Sequence, residues 1–263
     1  MHIKRLIVAA ILVPFLYLLV MYLPAEYFFF LIVVLSSLAL LEFYSMFRLE
    51  GLMRYVGMLW GAALLGVFYS WSEHFLAALF LALLIILTSR LLFKNDPVSS
   101  HRDVSIAVLG LLYIPGLLTF QLSLVKASPV WIIFLYASVW AADSLAYYVG
   151  KGIGRRKLYR QVSPNKTVEG AIGSAIGGVL GALFINALLM HLDSLWQVAL
   201  LGLSIGLVTI LGDLVESMFK RDAGVKDSSH IIPGHGGVLD KIDGATFAGP
   251  VLYWVCLGFG LIK

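Results

Sequence analysis

Acidic residues spaced three apart occur twice near the end of the sequence, each time beside an apolar run. Asp213 and Glu216 fall in a segment that reads as helix, so their side chains share one face. Asp240 and Asp243 repeat this spacing where the last apolar run opens. A carboxylate at membrane depth is costly unless it is paired, hydrated or bound to a cation. Three or four converging acids suit a hard cation such as Mg²⁺, which takes oxygen ligands and substrate phosphates.

Basic residues and glycines surround these acids. Four cationic side chains can offset the charge of a phosphate: Lys220, Arg221, Lys226 and Lys241. Gly236 and Gly237 let backbone N–H groups approach an anion closely, and His235 beside them is a candidate phosphate contact. Acids for a metal and bases for phosphates together indicate phosphoryl or nucleotidyl transfer. The alternative is that the acids pair with the neighbouring bases at an ordinary helix end, and that the glycine run is a simple turn.

A second polar cluster lies in the middle of the sequence. Ser163 and the proline after it read as an N-cap with proline at the first helical position, which places Lys166 in a first turn that attracts phosphate. Ser163 and Thr167 serve equally well as plain helix caps. Asp143 is expected to be buried in an otherwise apolar run, and ionisable groups inside membrane helices usually mark function. Glu42, in the second apolar run, reads as a polar anchor and is assigned no role.

The elements that position these residues are apolar. Of the 263 residues, 60% are hydrophobic and 13% are charged, and the mean hydropathy of +0.94 exceeds what a soluble core requires. The net charge of +4 is spread over short loops instead of one polar face, so no nucleic-acid partner is expected. The single cysteine, Cys256, excludes a disulfide within the chain.

Nine apolar runs approach the roughly 20 residues that a helix needs to cross a bilayer. They are approximately residues 6–23, 27–47, 55–70, 74–93, 104–124, 129–149, 170–190, 195–219 and 245–262. The sequence therefore predicts an all-α fold, a polytopic transmembrane helix bundle of about nine spans. The first run is longer than the apolar part of a secretory signal and no A-x-A-like site follows it, so a retained helix is expected.

The distribution of basic residues predicts the orientation. Of the 19 Lys and Arg residues, 17 lie at the N-terminus or around the loops after the second, fourth, sixth and eighth runs, which leaves 2 elsewhere. This bias places the N-terminus in the cytoplasm, and with it the polar loops 151–169 and 220–243. Without a repeat or a long linker, residues 1–263 are expected to form a single membrane domain, with N-terminal helices over 1–125 and catalytic helices and loops over 129–250.

The C-terminal motif resembles the signature of CDP-diacylglycerol synthases (phosphatidate cytidylyltransferases) at nearly every fixed position. It runs Ser217-x-x-Lys220-Arg221-x4-Lys226-Asp227-x-Ser229-x3-Pro233-x-His235-Gly236-Gly237-x-x-Asp240-Lys241-x-Asp243. Two further segments are similar to the family's other motifs: Asp143-Ser144-x-Ala146-Tyr147 and Ser163-Pro164-x-Lys166-Thr167-x-Glu169-Gly170. The specific likeness covers roughly residues 130–250, and the first four helices match only in being apolar.

The resemblance implies transfer of CMP from CTP to phosphatidic acid, giving CDP-diacylglycerol and pyrophosphate, at the cytoplasmic face of the inner membrane. It also implies a homodimer, and Mg²⁺ held by Asp213, Asp240 and Asp243, with a second cation such as K⁺. Lys220 and Arg221 are expected to act with these aspartates in catalysis. The expected substrate contacts are Lys166, Lys226, Lys241, Ser163, Thr167, His235, Gly236, Gly237 and Asp143.

Two positions depart from the family pattern. Lys241 stands where the family usually has Arg, and Asn165 where it often has Lys. Lysine keeps the charge but loses the bidentate geometry of arginine. The competing enzyme class is a CTP-using dolichol or phytol kinase of similar layout, which the full C-terminal signature opposes. From a different class, a cation transporter would explain the acids inside helices but would need no phosphate-binding bases.

Overall fold

The computed structural model describes residues 13–94, 96–229 and 236–262. The α-helices in this part of the chain are α1 Val13–Tyr22, α2 Ala25–Met46, α3 Leu52–Ser70, α4 Phe75–Phe93, α5 Ser100–Leu111, α6 Leu117–Ala127, α7 Pro129–Ile153, α8 Val168–Ile185, α9 Leu195–Asp222 and α10 Leu239–Gly258. Shorter helical turns lie at Ser72–His74, Leu112–Gly116 and Asn186–Met190. A two-stranded antiparallel hairpin, β1 Lys157–Tyr159 and β2 Ser163–Thr167, connects α7 to α8.

This architecture confirms the predicted helical membrane bundle. Each of the nine predicted apolar runs overlaps helical structure in the described part of the chain, and the fifth run overlaps both α5 and α6. Seven helical segments among these residues are long and apolar enough to cross a membrane; α1 and α10 are not among them. The number of crossings and the orientation stay predictions.

The described residues fall into two compact units. The first unit includes α7, α8, α9 and the part of α10 from residue 242 onwards. Helix α8 packs tightly on both of its neighbours through glycine: a Cβ at Gly177 would collide with the Ala141 carbonyl of α7, and one at Gly178 with the Gly202 carbonyl of α9. Small residues let membrane helices approach backbone to backbone. The packing therefore holds α7, α8 and α9 of the first unit in close contact.

The second unit contains residues 29–122 and 223–241. Tyr44 of α2 is fully buried in this unit. Its hydroxyl donates to the Ala107 carbonyl at 2.9 Å, and its ring fills the space left by Gly57 of α3 and Gly110 of α5. The side chain of Tyr44 therefore contacts both α3 and α5 and links α2 to these two helices. The prediction that the whole chain forms one membrane domain stays a prediction.

Candidate active site

Three carboxylates from α9 and α10 converge within the first unit. Asp213 and Glu216 lie on α9, and Asp243 lies near the start of α10; one oxygen from each residue lies within 4.8 Å of the others. We call these three residues the acid cluster. Like charges this close repel one another unless a cation is shared between them. The oxygen donors and their spacing fit a hard divalent cation.

Close packing of two helices brings the acid cluster together. A Cβ at Gly212 would lie only 2.7 Å from the carbonyl oxygen of Asp243, and one at Gly244 only 2.9 Å from Cγ2 of Thr209. Helix α9 therefore contacts the backbone of α10 directly at Gly212, and the methyl group of Thr209 packs against Gly244. The backbones of these two helices, rather than a flexible loop, set the separation of the two aspartates.

Two lysines lie against the acid cluster. Nζ of Lys166 lies 2.6 Å from Oδ2 of Asp213, and Nζ of Lys220 lies 2.6 Å from Oε2 of Glu216. The second pair lies within α9 and is buried. The alternative of pairing between neighbouring acids and bases therefore holds for Glu216, whereas Asp213 pairs with a lysine from the other polar motif. The structure joins the two motifs that the sequence singled out separately.

The residues before α8 form a strand instead of a helical turn. The predicted N-cap at Ser163 is wrong, because α8 begins at Val168 and the side chain of Thr167 caps it, accepting from the Gly170 N–H at 3.1 Å. A residue before proline favours extended backbone, and pairing with β1 holds it there. Lys166 therefore reaches Asp213 from the end of a strand.

Other residues of this motif stabilise the loop between α7 and α8. The carboxylate of Glu169 accepts the backbone N–H of Arg155 at 3.0 Å and that of Arg156 at 3.2 Å. A Cβ at Gly154 would lie 2.7 Å from Oγ1 of Thr167, so the chain passes tightly over the helix cap. Within this motif, Lys166 is the residue that the structure directs to the acid cluster.

Asp143 and Arg221 lie at the surface of the first unit. The expectation that Asp143 is buried is wrong, since the residue is exposed. Arg221 is also exposed, and its Nε donates to the carbonyl of Val162 at 3.3 Å. This contact ties the end of α9 to the hairpin that carries Lys166.

Asp240 belongs to a hydrogen-bond network in the second unit. Its Oδ2 accepts from the Gly237 N–H at 2.8 Å, from the Ser228 N–H at 3.1 Å and from the Ser228 hydroxyl at 2.9 Å. Gly236 has φ of +83°, and a Cβ there would lie 2.5 Å from the same oxygen. The Gly237 N–H, which the sequence suggested as an anion contact, therefore donates to the carboxylate of Asp240 in this structure. Metal binding by Asp240 stays a prediction.

The remaining predicted contacts are two exposed lysines, the half-buried Ser163, and His235. Lys226 and Lys241 are both exposed, and their contacts with a substrate stay predictions. His235 lies outside the described residues. Ser163 is half-buried in β2, before the strand end that carries Lys166.

Sequence reasoning left two acids out of the predicted site residues. Glu216 joins the acid cluster, and its three-residue spacing from Asp213 was the signal for it. Glu42 is 2% exposed in α2 and accepts hydrogen bonds in the second unit from Ser228 and Ser229 among others. In the sequence, Glu42 stood out only as an ionisable residue inside an apolar run. That pattern does not indicate which residues its carboxylate contacts.

The fold and the acid cluster define a polytopic helical membrane protein with a carboxylate site suited to a cation. The chain belongs to the cytidylyltransferase family, whose family model, described as "Cytidylyltransferase family", matches residues 3–259.

Bacterial relatives named phosphatidate cytidylyltransferase share much of the sequence. The chain is 50% identical to the Synechocystis protein over 128 residues, which is 46% of this chain and 41% of that protein. It is 43% identical to the Brucella abortus protein over 148 residues, 55% of this chain and 54% of that protein. It is 36% identical to the Bacillus subtilis protein over 239 residues, 86% of this chain and 87% of that protein. The first two matches thus span about half of each relative, and the third spans most of it.

Proposed function

We propose that the protein is a phosphatidate cytidylyltransferase, which transfers CMP from CTP to phosphatidic acid. The observation that carries the proposal is the acid cluster, with Lys166 placed 2.6 Å from Asp213 at its edge. Acids that suit a cation beside bases that suit phosphate are the parts that phosphoryl and nucleotidyl transfer use. The names of the relatives supply the same reaction.

In this reaction an oxygen of phosphatidate forms a bond to the α-phosphorus of CTP while the bond to the β-phosphate breaks. CDP-diacylglycerol and pyrophosphate result. The chain's own contribution is to position the phosphates and to offset their charge. Lys166 and the exposed Arg221 and Lys226 are suited to that task. Lys220 instead holds Glu216 in place, because this pair is buried within α9.

Asp213, Glu216 and Asp243 would hold Mg²⁺, which when bound supplies positive charge that polarises and orients the phosphates. The described carboxylate oxygens are close enough together to share one cation. From the family resemblance we also propose Asp240 as an additional ligand, a second cation such as K⁺, and a homodimer.

The chain is a multi-pass membrane protein. We propose that it lies in the inner membrane with the candidate site facing the cytoplasm, which the bias of 17 basic residues to 2 supports. A reporter fused after Lys263 should then report the periplasm, and one inserted in loop 151–169 the cytoplasm. Two reporters on the same side would contradict this orientation.

The proposed activity is tested with purified protein and CTP labelled at either the α- or the γ-phosphate. Label from the α-phosphate should enter lipid only when phosphatidate is present, with pyrophosphate released. A CTP-dependent lipid kinase would instead transfer the γ-label to a polyprenol or phytol acceptor. A cation transporter would transfer neither label. Either of these results would replace the proposal.

A further inference from the structure

Four donor groups surround the carboxylate of Glu42. Its Oε1 accepts from the Ser229 hydroxyl at 2.7 Å and the Val238 N–H at 2.8 Å. Its Oε2 accepts from the Ser228 hydroxyl at 2.9 Å and the Leu239 N–H at 2.8 Å. An ionised carboxylate offers roughly four lone-pair sites, which are occupied here by two backbone N–H groups, the Ser229 hydroxyl and the Ser228 hydroxyl, whose single proton is shared with Asp240. We call Glu42 with these four residues the Glu42 clamp.

Two of these donors lie at the start of a helix. Helix α10 begins at Leu239, and the first N–H groups of a helix have no partner within the helix itself. The carboxylate of Glu42 accepts the N–H of Leu239 and that of Val238 just before it. A negative charge is also favoured at this end by the helix dipole. Glu42 therefore caps α10 from another helix.

The clamp is linked to Asp240 through a shared hydroxyl. Oγ of Ser228 lies 2.9 Å from both Oε2 of Glu42 and Oδ2 of Asp240. Gly237 fits between the same groups, because a Cβ there would collide with the Ser228 hydroxyl and with the Glu42 carboxylate. Loss of the Glu42 acceptor would therefore disturb the carboxylate of Asp240 as well as the start of α10.

We propose that Glu42 is a positioning residue for the transfer reaction. It fixes Ser228 and Ser229 on one side and Val238 and Leu239 on the other, and thereby orients the first turn of α10. That turn carries Asp240 and Lys241, and Asp243 lies one turn further along the same helix. The kinetic part of this inference rests on the proposed function. Ser229 and Gly237 of the C-terminal motif both serve the clamp: Ser229 donates to Glu42, and Gly237 leaves room for the Glu42 carboxylate.

The test is Glu42→Gln, which keeps the shape of the side chain but replaces one acceptor oxygen by an NH₂ donor. At least one backbone N–H of the clamp then faces another donor. Loss of a partner that orients a functional group typically lowers activity by about 10- to 100-fold, and we expect this loss in kcat with a smaller change in KM for CTP. Amide hydrogen exchange at Val238 and Leu239 should accelerate by roughly tenfold or more.

The matched control is Ser36→Ala, which removes a hydroxyl from a side chain that is 1% exposed in the same helix and contributes nothing to the clamp. Its kcat and its exchange at Val238 and Leu239 should equal those of the wild type. Ser229→Ala removes one donor and leaves Glu42 intact, so it should shift both readouts in the same direction by less.

Three outcomes decide the inference. The inference is overturned if folded Glu42→Gln protein has the wild-type kcat, or if its amide hydrogen exchange at Val238 and Leu239 is unchanged. If Glu42→Gln does not fold, the double variant Ser228→Ala/Ser229→Ala replaces it under the same criteria. If the wild type forms no CDP-diacylglycerol, the proposed function fails, while hydrogen exchange still decides whether Glu42 holds the start of α10.

Discussion

The acid cluster and the Glu42 clamp use the same functional group in opposite ways. Glu42 is 2% exposed, and its oxygens lie within hydrogen-bond distance of four uncharged donor groups of the chain. The side chain of Asp213 is 41% exposed and meets a lysine at 2.6 Å, in a group of three acids. The donors around Glu42 are uncharged groups of the protein, whereas the partners of the acid cluster are the charged side chains of Lys166 and Lys220. Burial of an acid in an apolar helix therefore does not by itself identify a reactive site.

Neutralising the acid cluster should give the largest effect. Asp213→Asn and Asp243→Asn each keep nearly the same shape and remove one negative charge. We expect CTP turnover to fall by about 100-fold or more, since loss of roughly 3 kcal/mol of charge stabilisation corresponds to that factor. Raised Mg²⁺ should restore part of the activity by mass action. The measurement is turnover as a function of Mg²⁺ concentration with detergent-purified protein.

The control for these variants is Asp193→Asn, which neutralises an exposed acid in the loop before α9. Its turnover and Mg²⁺ dependence should match the wild type. If Asp213→Asn and Asp243→Asn remain folded and keep near-normal, Mg²⁺-dependent turnover, the metal site lies elsewhere and the contrast with Glu42 fails.

A methyl group inside the clamp should give an intermediate effect. In Gly237→Ala the new Cβ meets the Ser228 hydroxyl and the Glu42 carboxylate, so the start of α10 must shift. Overpacking of this kind costs about 1–3 kcal/mol of stability, and we expect turnover to fall by roughly tenfold. Thermal unfolding and CTP turnover measure the two effects.

Gly66→Ala is the matched control, because a Cβ at Gly66 in the interior of α3 has nothing within 4 Å. It should leave turnover unchanged and raise stability by up to about 1 kcal/mol, the helix propensity gained on replacing glycine. A Gly237→Ala protein as active and as stable as Gly66→Ala would show that the clamp tolerates displacement.

The sequence predicted the parts of the molecule whose signals are local. Apolar run length located the helices, and the spacing of Asp213 and Glu216 placed both on one face. The role of Glu42 was not predictable in this way, because its donors stand 186 to 197 positions later in the chain. The pairing of Lys166 with Asp213 and the strand at Ser163 also depend on tertiary packing, which overrides the local helix-start pattern.

The smallest expected effect concerns Thr167, which the sequence left open as either a helix cap or a substrate contact. Its hydroxyl accepts the Gly170 N–H at 3.1 Å, and the residue is 5% exposed, so it resembles Glu42 in serving the chain's own backbone. Thr167→Val keeps the shape but removes the cap, and should lower stability by about 1 kcal/mol with near-normal turnover per folded molecule. Thr167→Ser retains the hydroxyl and should stay closer to wild-type stability. If turnover falls more than tenfold in a fully stable Thr167→Val protein, Thr167 takes part in the reaction, as we propose for the acid cluster, and does not only cap α8.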